Sequence, residues 1–213
     1  MPQLSPKTEG ARPHLVVKLG GSLWRSPLRA QWIAALRRFP GALTLVAGGG
    51  PFADAIRAAQ PDMGFSTEAA HGMALLAMEQ YALALADLHA DLIPVATLEE
   101  ARAVHDLGHI GLWRPYAMVC DAPDVQPSWD VTSDSLSAWL AKRAGAFALL
   151  LIKSVDMDQR ACPTARGVVD PAFATYATGL NVFIAGPAAL AGAADIFDAG
   201  RIPGVPAPGK TAS

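Results

Sequence analysis

Val16-Val17-Lys18-Leu19-Gly20-Gly21-Ser22, read together with Leu45-Val46-Ala47-Gly48-Gly49-Gly50, decides the fold. Each is a short, mostly apolar run that breaks into consecutive glycines and then into a helical pattern. A run of this kind suits a parallel strand buried on both faces. Glycines between such a strand and a helix permit unusual backbone angles and let an anion approach backbone N–H groups with no side chain in the way. Two such loops in succession suggest a phosphate path.

The same unit recurs outward from these two stretches. Residues 27–38 carry Leu28, Trp32, Ile33 and Leu36 at helical spacing, and Pro40-Gly41 stops them. Pro51 sits where a first helical residue would, ahead of a helix over 52–59. Residues 61–65 read as a turn. Ser66, with Glu68 behind it, caps a helix running to about Leu88. A strand over 92–95 follows, then a short helix opened by Thr97 and ending near Gly108, and a short strand within 110–119. The loop over 121–129 contains Pro123 and Pro127, and a loop of this length in a compact domain is more often functional than idle.

Asp130-Val131-Thr132-Ser133-Asp134-Ser135 leads into a helix that Gly145 ends. The most hydrophobic strand, 147–152, stops at Lys153-Ser154-Val155-Asp156. A short helix over 170–178, a strand over 181–185 and a helix over 187–197 complete the pattern. Strands alternating with helices through right-handed crossovers predict an α/β fold with a mainly parallel central sheet between two helix layers. We read 1–13 as a flexible leader without signal-peptide character, 14–200 as a single domain and 201–213 as a Pro/Gly-rich tail.

Composition excludes several classes. The chain has 213 residues, 52% hydrophobic and 17% charged, with a net charge of -2 and no long basic run, so it lacks the footprint of a nucleic-acid binder. The apolar stretch 73–92 is interrupted by Glu79, Gln80, Asp87, His89 and Asp91, which suits a core helix and not a membrane span. Cys120 and Cys162 have no CxxC partner, so no disulfide framework or zinc knuckle is suggested, and a cytoplasmic, reducing compartment fits. The histidines show no metal-ligand spacing, and no metal-binding residue is assigned. There is no G-x-S-x-G elbow and no G-x-G-x-x-G fingerprint. Residues 204–211 match G-x-x-x-x-G-K-[ST], but no helix follows to hold phosphates, so this match is a chance one.

Lys18 is the penultimate residue of an apolar strand, a costly place unless its amine emerges at the C-terminal edge, where open α/β sheets bind ligands. It either neutralises a transferring phosphoryl group or snorkels to the surface. Thr132, Ser133 and Asp134 offer hydroxyls and N–H groups at a helix start; Asp134 orients lysines or a metal there, or the group is an ordinary cap. Lys153 repeats the placement of Lys18 at a second strand end. His71 lies on the long helix, where it could touch a substrate.

Taken together, Val-Lys18-Leu-Gly20-Gly21-Ser22, Ala-Gly48-Gly49-Gly50-Pro-Phe-Ala-Asp54, Val-Thr132-Ser133-Asp134-Ser135 and Ile-Lys153-Ser-Val-Asp156 resemble the amino acid kinase superfamily, in the family's order. The resemblance implies a three-layer α/β/α sandwich and transfer of the γ-phosphoryl of ATP, with Mg2+, to a small molecule. Within it, the helix Ala-His71-Gly-Met-Ala-Leu-Leu-Ala-Met-Glu-Gln and Trp129-Asp-Val-Thr-Ser-Asp-Ser are most similar to the aminomethylfuran phosphate kinases of methanofuran-type cofactor synthesis, which convert a phosphomonoester to a diphosphate. Kinases of UMP, isopentenyl phosphate or an amino-acid carboxylate, and a non-catalytic nucleotide-binding member, are the alternatives.

By this resemblance Lys18 stabilises the transferring phosphoryl and Asp134 orients the lysines. Gly20, Gly21, Ser22, Lys153 and Asp156 hold the nucleotide, and Gly48, Gly49, Gly50, Asp54, His71, Thr132 and Ser133 hold a phosphorylated acceptor. Relatives also lead one to expect a homo-oligomer, a late lysine where this chain has only Arg166, and a bulkier residue in place of Gly72.

Overall fold

The computed structural model describes residues 12–157, 164 and 167–207. Arg166, Cys162 and the Gly209-Lys210-Thr211 part of the chance motif lie outside the described residues, as does most of the leader. Along the chain run β1 (His14–Leu19), α1 (Leu28–Leu36), β2 (Ala42–Ala47), α2 (Gly50–Met63), α3 (Thr67–Leu88), β3 (Leu92–Val95) and α4 (Leu98–Asp106). They are followed by β4 (Ile110–Trp113), α5 (Tyr116–Val119), α6 (Ser133–Arg143), β5 (Ala148–Ile152), α7 (Phe173–Tyr176), β6 (Val182–Ala185), α8 (Ala193–Asp198) and β7 (Val205–Pro206).

The strands form one seven-stranded sheet in the order β3-β4-β2-β1-β5-β6-β7. Every pairing is parallel except the last, β6 with β7. Successive strand residues face opposite sides. Leu15, Val17 and Leu19 therefore join Trp32, Ile33 and Leu36 of α1 and Phe197 of α8 in one core. Val16, Leu149 and Leu151 join Leu136, Trp139 and Leu140 of α6 in the other. The sandwich expected from the alternation of elements is thus present, and β1 and β5, at its centre, are almost wholly buried.

Local signals explain most boundaries. Ser66 accepts a hydrogen bond from Ala69 N–H at 3.1 Å and Thr97 one from Glu100 N–H at 3.1 Å, each satisfying an N–H that the first helical turn leaves free. The turn expected over 61–65 is a correction: Pro61 lies inside α2, which continues to Met63. Near a helix end proline sacrifices only one intrahelical bond, and Gly64, at φ 69°, terminates the helix with its N–H on the Gln60 carbonyl. Within the segment read as tail, Val205 and Pro206 pair with Ile184 and Phe183. The helix expected over 187–197 is a 3-10 turn, Pro187–Gly192, followed by α8. Gly72 has open space around it, so a larger residue would fit there.

Candidate functional site

The site lies beyond the C-terminal ends of β1, β2 and β5. In the sheet Lys18 is paired with Leu151, so Lys153, two residues further on, projects to the same face as Lys18. That is the face α6 covers. Asp134, in the first turn of α6, sits between the two amines: Lys153 Nζ donates to its Oδ2 at 2.6 Å, and Lys18 Nζ stands 2.8 Å from its Oδ1. The Lys18 contact is an ion pair without hydrogen-bond alignment, since Oδ1 has no directed donor. Lys18, Asp134 and Lys153 are exposed by only 5%, 4% and 9%.

Burial pushes the Asp134 carboxyl upward, but the adjacent Lys18 and Lys153 ammoniums outweigh this and hold it below the usual carboxylate range. Burial, with Lys18 as a like-charged neighbour, lowers Lys153 to about 8. Near neutral pH two ammoniums face one carboxylate, and the cluster keeps an excess positive charge in a nearly dry setting. Such a cluster attracts an anion more strongly than it would in water.

The glycine loops press against one another beside this cluster. A Cβ on Gly48 would stand 2.6 Å from Gly21 N, and one on Gly21 would stand 2.7 Å from Gly50 N. Glycine is thus needed for backbone-to-backbone contact between the two loops as well as for access by a ligand. Gly50 has φ 53°, a left-handed conformation that favours glycine. The N–H groups of Gly20 and Gly48 are committed to the Ile152 and Leu19 carbonyls. Gly21, which opens a 3-10 turn, and Gly49 and Gly50, which open α2, keep N–H groups that no intrahelical carbonyl can reach. The positive end of α2 adds to the cluster's attraction for anions.

On the α2–α3–α6 side a cavity of about 240 Å³ opens, lined among others by Gly50, His71, Met78, Trp129, Ser133 and Leu136. His71 is 8% exposed, its Nε2 has no partner, and burial lowers its pKa, so it presents a neutral imidazole. Trp129 Nε1 donates to Gln60 Oε1 at 2.7 Å, and the Arg57 guanidinium lies 4.4 Å from the Trp129 ring. These contacts fasten the loop before α6 onto α2. Asp54 is exposed at the rim, 3.9 Å from Arg57.

Ser22, which also lines the cavity, donates its hydroxyl to Ser154 Oγ at 3.0 Å, and Asp156 Oδ1 accepts from Ala188 N–H at 2.9 Å. Thr132 lines the cavity, yet its N–H and hydroxyl both donate to Asp170 Oδ2, at 2.9 and 2.8 Å. It is the residue before the helix, but its side chain makes no cap bond. Ser133 adjoins the glycine loop, with its Oγ 3.4 Å from where a Gly48 Cβ would stand.

The fold therefore gathers Lys18, Asp134 and Lys153 into one cluster and places Gly49, Gly50, Asp54, His71, Thr132 and Ser133 around the cavity, together with Gly21 and Ser22, which were expected on the nucleotide side; Asp156 does not line it. Sequence reasoning missed Asp170, Arg57 and Ser154 as parts of the neighbourhood. Arg57 and Trp129 are far apart in the chain, and no local pattern announces their stacking. Asp170 read only as the start of a short helix. Among the described residues no group of three His, Cys, Asp or Glu side chains could hold a metal ion, and no helix is long and apolar enough to cross a membrane.

The sequence model of the amino acid kinase family matches residues 14–168. No curated protein matches the chain in sequence. Among solved structures, the fold is similar to the uridylate kinase from Archaeoglobus fulgidus, with 16% identity, a TM-score of 0.62 and coverage of 91% of this chain and 99% of that one. It is similar also to the UMP kinase from Bacillus anthracis, with 16% identity, a TM-score of 0.64 and coverage of 92% and 96%. The UMP kinase from Ureaplasma parvum gives 15% identity, a TM-score of 0.60 and coverage of 83% and 91%. At such identities the likeness carries the fold alone.

Proposed function

We propose, starting from the fact that the chain belongs to the amino acid kinase family and is a kinase using a nucleotide and a small-molecule substrate, that it transfers the γ-phosphoryl of ATP to a compact phosphomonoester. The product is a diphosphate. The acceptor that its sequence resemblance favours is an aminomethylfuran phosphate of methanofuran-type cofactor synthesis. The carrying observation is the buried Lys18–Asp134–Lys153 cluster beside two touching glycine loops and the small cavity that both loops help to line.

In the step, an oxygen of the acceptor phosphate attacks the γ-phosphorus, the bond from γ-phosphorus to the bridging oxygen breaks, and ADP leaves with the electron pair. Lys18 faces the transferring group, and Lys153, with Ser22 and the Gly20-Gly21 turn, faces the nucleotide. Asp134 holds the two amines in place. Gly49 and Gly50 N–H groups and the Ser133 hydroxyl meet the acceptor phosphate. Thr132, its donors engaged by Asp170, shapes the wall, and His71, Trp129 and Asp54 contact the remainder of the acceptor.

Asp134 is bound to both lysines and is not free to act as a general base, and the neutral His71 imidazole is assigned to contact with the acceptor. A phosphomonoester needs no general base, since its second pKa is about 6 and the attacking oxygen is already ionised near neutral pH. Positioning and charge neutralisation then carry the reaction. We assign magnesium to the ATP phosphates, as part of the substrate; among the described residues Asp134 is engaged by both lysines and Asp156 accepts from the Ala188 N–H.

Purified protein incubated with ATP-Mg and aminomethylfuran phosphate, UMP, isopentenyl phosphate or acetylglutamate, with products identified by mass spectrometry, tests the reading. A diphosphate from the furan compound supports it; turnover only with another acceptor reassigns the substrate, and nucleotide binding without turnover of any acceptor removes the catalytic reading. Phe52, Met73, Leu76 and Leu83 form exposed apolar surface on α2 and α3, which supports a homo-oligomer. A monomeric mass by light scattering at micromolar concentration would count against that.

A further inference from the structure

We infer that Asp170 is a positioning residue for phosphoryl transfer, its carboxylate clamping the first turn of α6 so that Asp134 stays centred between Lys18 and Lys153. The inference rests on the kinase reading above. Asp170, on the approach to α7, is 8% exposed and takes four hydrogen bonds from α6 and the residue before it. Thr132 N–H and hydroxyl donate to Oδ2 at 2.9 and 2.8 Å, Ser135 N–H donates to the same oxygen at 3.0 Å, and the Ser135 hydroxyl donates to Oδ1.

The donors come from the residues flanking Ser133 and Asp134. Both backbone and side chain of that turn are therefore fixed from outside the helix. A carboxylate that accepts several N–H and O–H donors at a helix N-terminus is well placed electrostatically, since it meets the positive end of the helix. It also takes up donors that would otherwise be open to an incoming phosphate, leaving the acceptor to Ser133 and the glycine loop.

Asp170 acts on the site through charge as well. The charged groups that act on Lys153 are Lys18 on β1, Asp134 on α6, with which it is paired, and more distantly Asp170. Burial and Lys18 lower the Lys153 pKa, while Asp134 and, more weakly, Asp170 raise it. Loss of the Asp170 charge thus both loosens the Asp134 turn and moves the Lys153 titration downward. Asp134 lies in the same first turn, where a misplacement of about 1 Å can cost on the order of 100-fold in rate.

The test compares the full-length chain with Asp170→Asn and Thr97→Ala. Asparagine keeps the shape, with its oxygen on the Thr132 and Ser135 N–H groups while the Ser135 hydroxyl turns to accept from the amide, but it removes the charge that strengthens these bonds and so loosens the turn. Thr97→Ala removes the cap of α4 at the β3 edge of the sheet and serves as a purely structural loss. For Asp170→Asn the expected result is a kcat lowered about 10- to 100-fold, with little change in KM for ATP. The Lys153 amine, followed by NMR of the lysine side chain, titrates at lower pH than in the unsubstituted chain. Thr97→Ala lowers the melting temperature but leaves kcat and the Lys153 titration as they were. An Asp170→Asn chain whose Lys153 titrates unchanged, or whose kcat is unchanged, overturns the inference. An unsubstituted chain that turns over no acceptor overturns the kinase reading instead, and the Lys153 titration still decides the role of Asp170.

Discussion

The two ends of the central strands hold polar clusters of opposite character, one buried and one half-buried. At the C-terminal end, Lys18, Asp134 and Lys153 remain charged, with one more positive than negative group. At the N-terminal end, His14 Nε2 lies 2.9 Å from Thr44 Oγ1, which lies 3.2 Å from His105 Nε2, itself 2.9 Å from the Leu43 carbonyl. That carbonyl can only accept, so His105 Nε2 carries a proton, and the chain of contacts closes with both imidazoles neutral. Burial followed by the neighbouring His105 pushes His14 down to about 4. One end keeps its charges, paired within a buried cluster. The other satisfies its donors and acceptors and removes the charge, as a structural network does.

Four experiments would break or sharpen this contrast. The largest effect is expected from Asp134→Ala, which leaves two buried ammoniums without a counter-ion. Denaturant unfolding should show a loss of about 3–5 kcal/mol, and a loss under 1 kcal/mol would mean that the charged end is not held as described. Acidification should act on the neutral end. Folded His14 binds its proton less readily than in the unfolded chain, so stability is fully present above its ordinary 6.5 and falls as pH drops towards about 4. The contribution is about 3 kcal/mol, and a His14→Gln chain followed over the same pH range should show a flatter dependence.

Lys18→Ala is expected to lower kcat by about 100-fold or more, as removal of a charge-stabilising donor does, with little change in melting temperature because Lys153 still pairs with Asp134. Unchanged turnover would reject the charge-clamp role. The smallest effect belongs to Gly50→Ala. A Cβ there meets nothing closer than 3.6 Å, so the cost is backbone strain at φ 53° alone. It should amount to about 1–2 kcal/mol, read from the unfolding midpoint.

Much of the site was legible in the sequence because its parts sit at strand ends, where a change from apolar residues to glycine or lysine is a local signal. Lys18, Gly48-Gly49-Gly50 and Lys153 were found in this way. The capping serines and threonines were legible for the same reason, since Ser66 and Thr97 act on N–H groups only three residues away. Pro61 misled because its helix-breaking character is weak in a last turn that Gly64 closes. Asp170 and the Arg57–Trp129 stack carried no local signal, for their partners lie 38 and 72 residues away in the chain.

What the sequence by itself determined is the alternation of buried strands and helices, the two glycine loops, and lysines at two strand ends. Only the tertiary structure decided that these belong to one centre. The strand order sets β5 beside β1, although β2, β3 and β4 come between them in the chain. The pairing of Lys18 with Leu151 then turns Lys153 to the same face. A slip of one residue would have sent it to the opposite side, because side chains alternate along a strand with a period of two. That register is fixed by the packing of α6 and α1 on the two sides of the sheet, a non-local condition that neither lysine announces in its own neighbourhood.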